Sequence, residues 1–151
     1  MTVDPEGTLW FSNVTRDDET SDFLYACSAT STFRNEYKIG NKVFLKVAQT
    51  GNIATLTKHE PKKQYVSLKN INVLKGEELK LWCIFSGTPL PKIQWSKKDG
   101  TLPMERVTRD NYGKTLVIQY VDFDDSGTYE CEASNGVGSA KSYTINVQVK
   151  G

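Results

Sequence analysis

Asp125-Ser126-Gly127-Thr128-Tyr129-Glu130-Cys131 decides the fold of this 151-residue chain. An acidic turn with a glycine runs into a Tyr-x-Cys strand, whose alternation puts tyrosine and cysteine on one face. Cys83 stands 48 residues before Cys131, and Trp95 follows Cys83 by 12. Together these residues specify two antiparallel sheets pinned by one bridge between Cys83 and Cys131. Trp95 packs against the sulfurs, and the Tyr129 hydroxyl ties the turn that carries Asp125 and Gly127. Any one of them alone would say little.

Working outward, residues 61–150 supply a full set of strands. Tyr65 to Val73 reads as the first edge, and Glu78 to Phe85 alternates Leu79, Leu81, Cys83 and Phe85 inward. Gly87-Thr88-Pro89-Leu90-Pro91 is a turn, because prolines fix φ and remove ladder donors. Ile93 and Trp95 enter the core, and Lys98-Asp99-Gly100 reads as a hairpin turn. Leu116 and Ile118 face inward, Asn135-Gly136 turns the chain, and Tyr143, Ile145, Val147 and Val149 alternate on the last strand. The short spacing after Trp95 leaves no room for the two extra strands of a variable-type domain. The fold class is therefore all-β, an immunoglobulin-like β-sandwich of the intermediate set (I-set).

Composition agrees with a solvated sandwich. Hydrophobic residues make up 38%, enough for a core, and charged residues 25%. A formal net charge of +1 argues against a dedicated nucleic-acid binder. Residues 1–50 hold 5 basic and 7 acidic side chains against 14 and 11 in 51–151, so the second part is mildly basic. Three cysteines leave Cys27 over once Cys83 and Cys131 pair. Residues 1–20 lack an apolar core of the kind a signal peptide needs, and no stretch reads as a membrane span. A disulfide framework expects an oxidising compartment. The expectation that holds these facts together is a fragment of a secreted or membrane-anchored protein.

The chain repeats itself approximately. Leu9-Trp10-Phe11-Ser12-Asn13-Val14 followed by Tyr25-Ala26-Cys27-Ser28-Ala29 parallels Leu116-Val117-Ile118-Gln119-Tyr120-Val121 followed by Tyr129-Glu130-Cys131-Glu132-Ala133. The first copy takes three residues more from its leucine to its cysteine, and its Asp22 lacks the following glycine of the second copy's corner. No partner cysteine and no core tryptophan precede Cys27 where a sandwich would place them. Residues 1–48 thus read as the C-terminal half of a second immunoglobulin sandwich, with a hairpin near Phe33 to Tyr37 and a final strand from Lys42 to Val47. Residues 49–60 read as a short linker or the start of a first strand, with Ile53 to Leu56 pairing. Half a sandwich alone exposes an apolar face and a sheet edge.

Several stretches resemble the neural cell-adhesion family of the immunoglobulin superfamily to which neuroglian and neurofascin belong. They are Asp4-Pro5-Glu6-Gly7-Thr8-Leu9-Trp10-Phe11-Ser12-Asn13-Val14, Tyr25-Ala26-Cys27-Ser28-Ala29-Thr30-Ser31 and Glu36-Tyr37-Lys38-Ile39-Gly40-Asn41-Lys42-Val43, then Gly87-Thr88-Pro89-Leu90-Pro91, Tyr112-Gly113-Lys114-Thr115-Leu116-Val117-Ile118 and Ser134-Asn135-Gly136-Val137-Gly138. The resemblance covers the whole chain and places it at the end of a second and all of a third immunoglobulin domain. It implies a single-pass neuronal surface glycoprotein with six such domains, the first four folded back as a horseshoe, followed by fibronectin domains. Homophilic cell–cell adhesion, axon guidance, a plasma-membrane location and protein partners of the same or related receptors come with it. The alternative is a secreted four-domain insect immune protein of the hemolin type that binds microbial or cell surfaces.

Individual residues carry weaker signals. Asn13-Val14-Thr15 is the one N-glycosylation sequon, its place at a strand end favouring use. Cys27 is expected to pair, in the parent protein, with a cysteine absent here; a free thiol is the fallback. Lys58, Lys62, Lys63, Lys97 and Lys98 suggest weak polyanion contact, with ordinary solvated lysines as the preferred reading. Catalysis finds no constellation: His59 is the only histidine, Asp124-Asp125 belongs to the corner, and Gly136 and Gly138 lack the strand–loop–helix context of a phosphate loop. No metal ligand set and no cofactor are expected.

Overall fold

The computed structural model describes residues 1–48 and 57–151. The expected strand over Ile53 to Leu56 lies outside the described residues. Contacts divide the chain into two compact units, Met1–Asn13 with Leu56–Gly151, and Val14–Thr55. The first thirteen residues therefore lie with the complete domain.

That domain is a two-sheet sandwich. One sheet has the order β5 (His59–Val66), β7 (Leu79–Thr88), β10 (Thr115–Ile118), β9 (Val107–Asp110). The other has β6 (Asn70–Leu74), β12 (Lys141–Lys150), β11 (Gly127–Ser134), β8 (Lys92–Lys97). Leu79, Leu81, Cys83 and Phe85 of β7 and Leu116 and Ile118 of β10 meet Trp95, Tyr129, Cys131, Ile145, Val147 and Val149 across the interior. Each comes from the alternating, inward set of its strand, which is why one register buries them all.

Two expectations for this domain's strands need correction. Tyr65 to Val73 is not one edge strand. The chain leaves β5 after Val66, crosses at Ser67, and joins the opposite sheet as β6, parallel to β12. Ser67 makes the crossing possible: its N–H donates to the Trp82 carbonyl at 3.0 Å, while its hydroxyl accepts the Trp82 N–H at 2.7 Å. Lys98-Asp99-Gly100 is not a hairpin turn either, since β8 and β9 belong to different sheets. Asp99 instead turns its carboxylate back to accept the Thr128 N–H at 3.2 Å.

In the unit Val14–Thr55, β3 (Ser28–Ser31) and β4 (Glu36–Ile39) form the expected hairpin. Lys42 to Val47 is not a continuous strand; Val43 alone bridges Tyr25. None of residues 14–48 is buried, and Phe33, Tyr37, Ile39 and Phe44 are exposed. The described residues of this unit bury no core of their own.

Candidate interaction surface

The Cys83 and Cys131 sulfurs are 2.14 Å apart and bridge the two sheets. Trp95 lies directly across from Cys131 on the neighbouring strand, so both point inward, and its Nε1–H donates to the Gly113 carbonyl at 2.7 Å. Tyr129, fully buried, donates its hydroxyl to the Asp125 carbonyl at 2.7 Å. Burial and the nearby Asp125 and Asp99 carboxylates push the Tyr129 phenol well above its ordinary range, so it stays a neutral donor. Gly127 has φ +145°, and a Cβ there would lie 2.5 Å from Asp99 Oδ1. These residues hold the fold together and leave no reactive group exposed.

The corner also contains a residue that sequence reading missed. Arg106 donates to both Asp125 oxygens, Nη1 at 2.8 Å and Nη2 at 3.0 Å, and Nη1 also reaches the Gln119 and Tyr120 carbonyls. Burial raises the Asp125 pKa, but these bonds, the Asp122 N–H and the positive neighbours outweigh it and hold the carboxyl below its usual range. The first repeat builds the same corner elsewhere than expected. Its 3-10 turn is Arg16–Asp18, with Asp18 Oδ2 accepting from the Thr15 N–H, and Tyr25 donates to the Asp18 carbonyl at 3.0 Å. Asp18, not Asp22, therefore corresponds to Asp125, and the three extra residues fall between turn and tyrosine.

Cys27 is an exposed free thiol beside Gly40, whose N–H donates to the Cys27 carbonyl at 2.8 Å. Asn13 is half-buried, and the Thr15 hydroxyl of its sequon donates to Asp18 Oδ2 at 3.2 Å. Four of the five lysines divide between the two sheets. Lys62 and Lys63 lie on β5, with the Lys63 ammonium over the Tyr143 ring at 5.2 Å. Lys97 reaches the Asp124 carbonyl at 2.5 Å and Lys98 pairs with Glu130 at 2.9 Å, both near the end of β8 in the other sheet.

The surface that stands out is the outer face of the β5–β7–β10–β9 sheet. Ile84 and Val117 alternate away from the core, yet they are 0% and 2% exposed. Met1–Asn13, with β1 (Thr2–Val3) paired to β2 (Leu9–Trp10), is fastened to this sheet on β5, on β7 and just before β10. A bulge shifts the β5–β7 register between His59 and Lys62 and again between Lys63 and Tyr65, which frees groups from the ladder. The Gly87 N–H then donates to the Ser12 carbonyl at 3.0 Å, and Gln64 Nε2 to the Phe11 carbonyl at 2.9 Å. Lys114, before β10, donates its ammonium to Thr2 Oγ1 at 3.1 Å. Burial alone drives the Lys114 pKa down. Asp4 is buried too, accepting from the Glu6 and Thr8 N–H groups and Trp10 Nε1, and these bonds overcome desolvation to keep it ionised below its usual range. Residues 79–85 and 116–118 did carry the signal: Leu81-Trp82-Cys83-Ile84-Phe85 and Leu116-Val117-Ile118 are unbroken apolar runs, the mark of strands buried on both faces.

The opposite sheet turns a polar face outward. Gln94, Ser96, Glu130 and Glu132, with Arg109 at the edge, line an open groove beside β8. Among the described residues no His, Cys, Asp and Glu cluster has the makings of a metal site, and no helix is long and apolar enough to cross a membrane.

Comparison with known proteins bears on this surface. The immunoglobulin I-set domain model matches residues 62–149. The chain is 56% identical over 150 residues to neuroglian of Drosophila melanogaster, covering 99% of this chain and 12% of that protein. It is 37% identical over 140 residues to the neural cell adhesion molecule L1-like protein of Homo sapiens, covering 89% of this chain and 11% of that one. Among solved structures, the insect immune protein hemolin, described as a domain arrangement with implications for homophilic adhesion, matches with a TM-score of 0.80 at 28% identity, over 98% of this chain and 38% of hemolin. The chain spans 12% or less of the length of these two curated relatives.

Proposed function

Because the chain belongs to the immunoglobulin I-set family, within its neural cell-adhesion group, we propose that it is an extracellular adhesion module of a homophilic neural receptor. Its parent acts in cell–cell adhesion and axon guidance at the plasma membrane. Residues 1–48 supply the last strands of one domain, 49–60 the connection, and 61–150 a complete I-set domain. Cys27 pairs with a cysteine of the parent that this chain lacks, and Asn13 carries a glycan. The observation that supports this reading most is the 56% identity to neuroglian across 99% of the chain. Binding through whole sheet faces, rather than chemistry at a pocket, suits a surface whose titratable groups serve hydrogen bonds and ion pairs.

The test is aggregation of non-adherent cells displaying the parent receptor. Cells should cluster with one another, and soluble chain added in excess should slow the clustering. Cells that stay single at full surface expression count against the adhesion reading. The hemolin likeness, at a TM-score of 0.80, favours one second reading, a secreted immune protein. Binding of the parent to washed bacteria, without cell clustering, would select it.

A further inference from the structure

Asn135-Gly136 opens the turn between β11 and β12. Its asparagine ties three segments together. Asn135 Nδ2 donates to the His59 carbonyl at 2.7 Å, where β5 begins, and to the Pro89 carbonyl at 2.9 Å, in the turn between β7 and β8. Oδ1 accepts the Val137 N–H at 3.0 Å. Both amide protons and the oxygen are therefore used. Two carbonyls face Nδ2, so only a donor fits there. Gly87 makes room for it, since a Cβ at that position would lie 2.9 Å from Nδ2. The Lys141–Glu60 ion pair, at 3.0 Å, joins the same hairpin to β5, but both ends are exposed and such pairs add little.

The residue that follows makes this clamp reactive. Of the asparagines in the chain, Asn135 alone precedes a glycine. With no Cβ on residue 136, the Gly136 nitrogen can close on Asn135 Cγ. A bond forms between them, the Cγ–Nδ2 bond breaks, and Nδ2 leaves as ammonia with the proton from Gly136. Water then opens the cyclic imide to aspartate, or to isoaspartate with the chain running through the side-chain carbon. Neither oxidant nor reductant is needed. In the folded domain the reaction is held back, because Nδ2 and Oδ1 are both fixed by hydrogen bonds. Cγ comes within reach of the nitrogen only when the turn opens locally.

The product cannot resume the clamp. A carboxylate accepts hydrogen bonds and donates none, yet it would face the His59 and Pro89 carbonyls that Nδ2 had faced. Repulsion drives it out, and both carbonyls lose this donor. We propose that Asn135 is a spontaneous deamidation site, gated by the opening of its own hydrogen bonds, whose conversion irreversibly releases the His59 and Pro89 segments from the β11–β12 turn. The loosened fraction grows with the age of the molecule.

The test incubates the whole chain at mildly alkaline pH, folded or in guanidinium with the disulfide intact, and maps its peptides by mass. In the unfolded chain Asn135 should deamidate ahead of every other asparagine, and folding should slow it by about tenfold or more. The deamidated fraction, isolated by its added negative charge, and the Asn135→Asp variant should both exchange amide hydrogens about tenfold faster over residues 59–62 and 86–92, with residues 115–118 unchanged. Equal rates in folded and unfolded chain would show that the clamp does not guard the site. An Asn135 that stays intact in the unfolded chain would remove the site itself. Unchanged exchange in the converted chain would overturn the release.

Discussion

Replacing Asp125 by asparagine should strip the complete domain of about 3 kcal/mol. Asp125 is 4% exposed and its carboxylate takes Arg106 Nη1 at 2.8 Å, Arg106 Nη2 at 3.0 Å and the Asp122 N–H at 2.8 Å. Asparagine keeps the shape and one acceptor oxygen but loses the charge, leaving a guanidinium without its counter-ion. Breaking such a pair by removing one partner costs about 3–5 kcal/mol. The lower end applies, because the Arg106 side chain is 29% exposed and keeps the Gln119 and Tyr120 carbonyls. For a domain of this size, 3 kcal/mol corresponds to a drop of about 12–24 °C in midpoint. Tyr129→Phe removes only the hydroxyl bond to the Asp125 carbonyl and should cost about 1 kcal/mol.

The assay is guanidinium denaturation with the disulfide intact, comparing midpoint and slope. An Arg106→Met and Asp125→Asn cycle then isolates the coupling. The pH dependence supplies a second check. The folded Asp125 pKa is depressed, so its contribution is complete above the unfolded value of about 3.9 and is lost as pH falls through the folded one. Asp122 and Glu78 are also lowered and add to the acid slope of the wild type. Asp125→Asn should therefore flatten part of that slope. A loss below about 1 kcal/mol, or an acid slope identical to wild type, would refute the argument that the charge organises this corner.

Two further outcomes follow from the geometry. Gly76 has φ +87° with open space around it, so alanine there should cost only the backbone strain, about 1 kcal/mol; Gly127→Ala should cost at least twice as much, because its Cβ would meet the Asp99 carboxylate within 2.8 Å, and equal midpoints would contradict this. Removing Met1–Asn13 should speed exchange of the Gly87 amide, which donates to Ser12, at least tenfold by hydrogen-exchange mass spectrometry, while the Cys83 amide, held by the Lys114 carbonyl, stays protected.

How far the sequence could be read depended on the range of each signal. The sandwich was legible because its determinants are local patterns: alternation on β7 and β12, and a corner packed into seven residues. The switch at Ser67 was not, because Tyr65 to Val73 keeps strand-like residues throughout and only a hydroxyl pairing with Trp82 shows where the chain changes sheets. The first repeat's corner was misplaced for a related reason. Asp22 lies three residues before its tyrosine, one short of the spacing from Asp125 to Tyr129, whereas the fold needs an acid at the third position of a capped turn, and Asp18 meets that need.

The outer face of the β5–β7–β10–β9 sheet, the docking face for Met1–Asn13, and the β9–β10 turn lie at opposite ends of what a sequence can disclose. For the docking face, the unbroken apolar runs of β7 and β10 announce that something covers them, but not that Thr2, Phe11 and Ser12 do. Those partners act through two backbone carbonyls and two hydroxyls, which many other residues could supply. For the turn, Asp110-Asn111-Tyr112-Gly113 reads as an ordinary reversal. Only the φ of Tyr112, +59°, reveals that its ring is carried at a cost to the domain. A face that loses water on folding leaves a composition signal because the hydrophobic effect acts on whole strands.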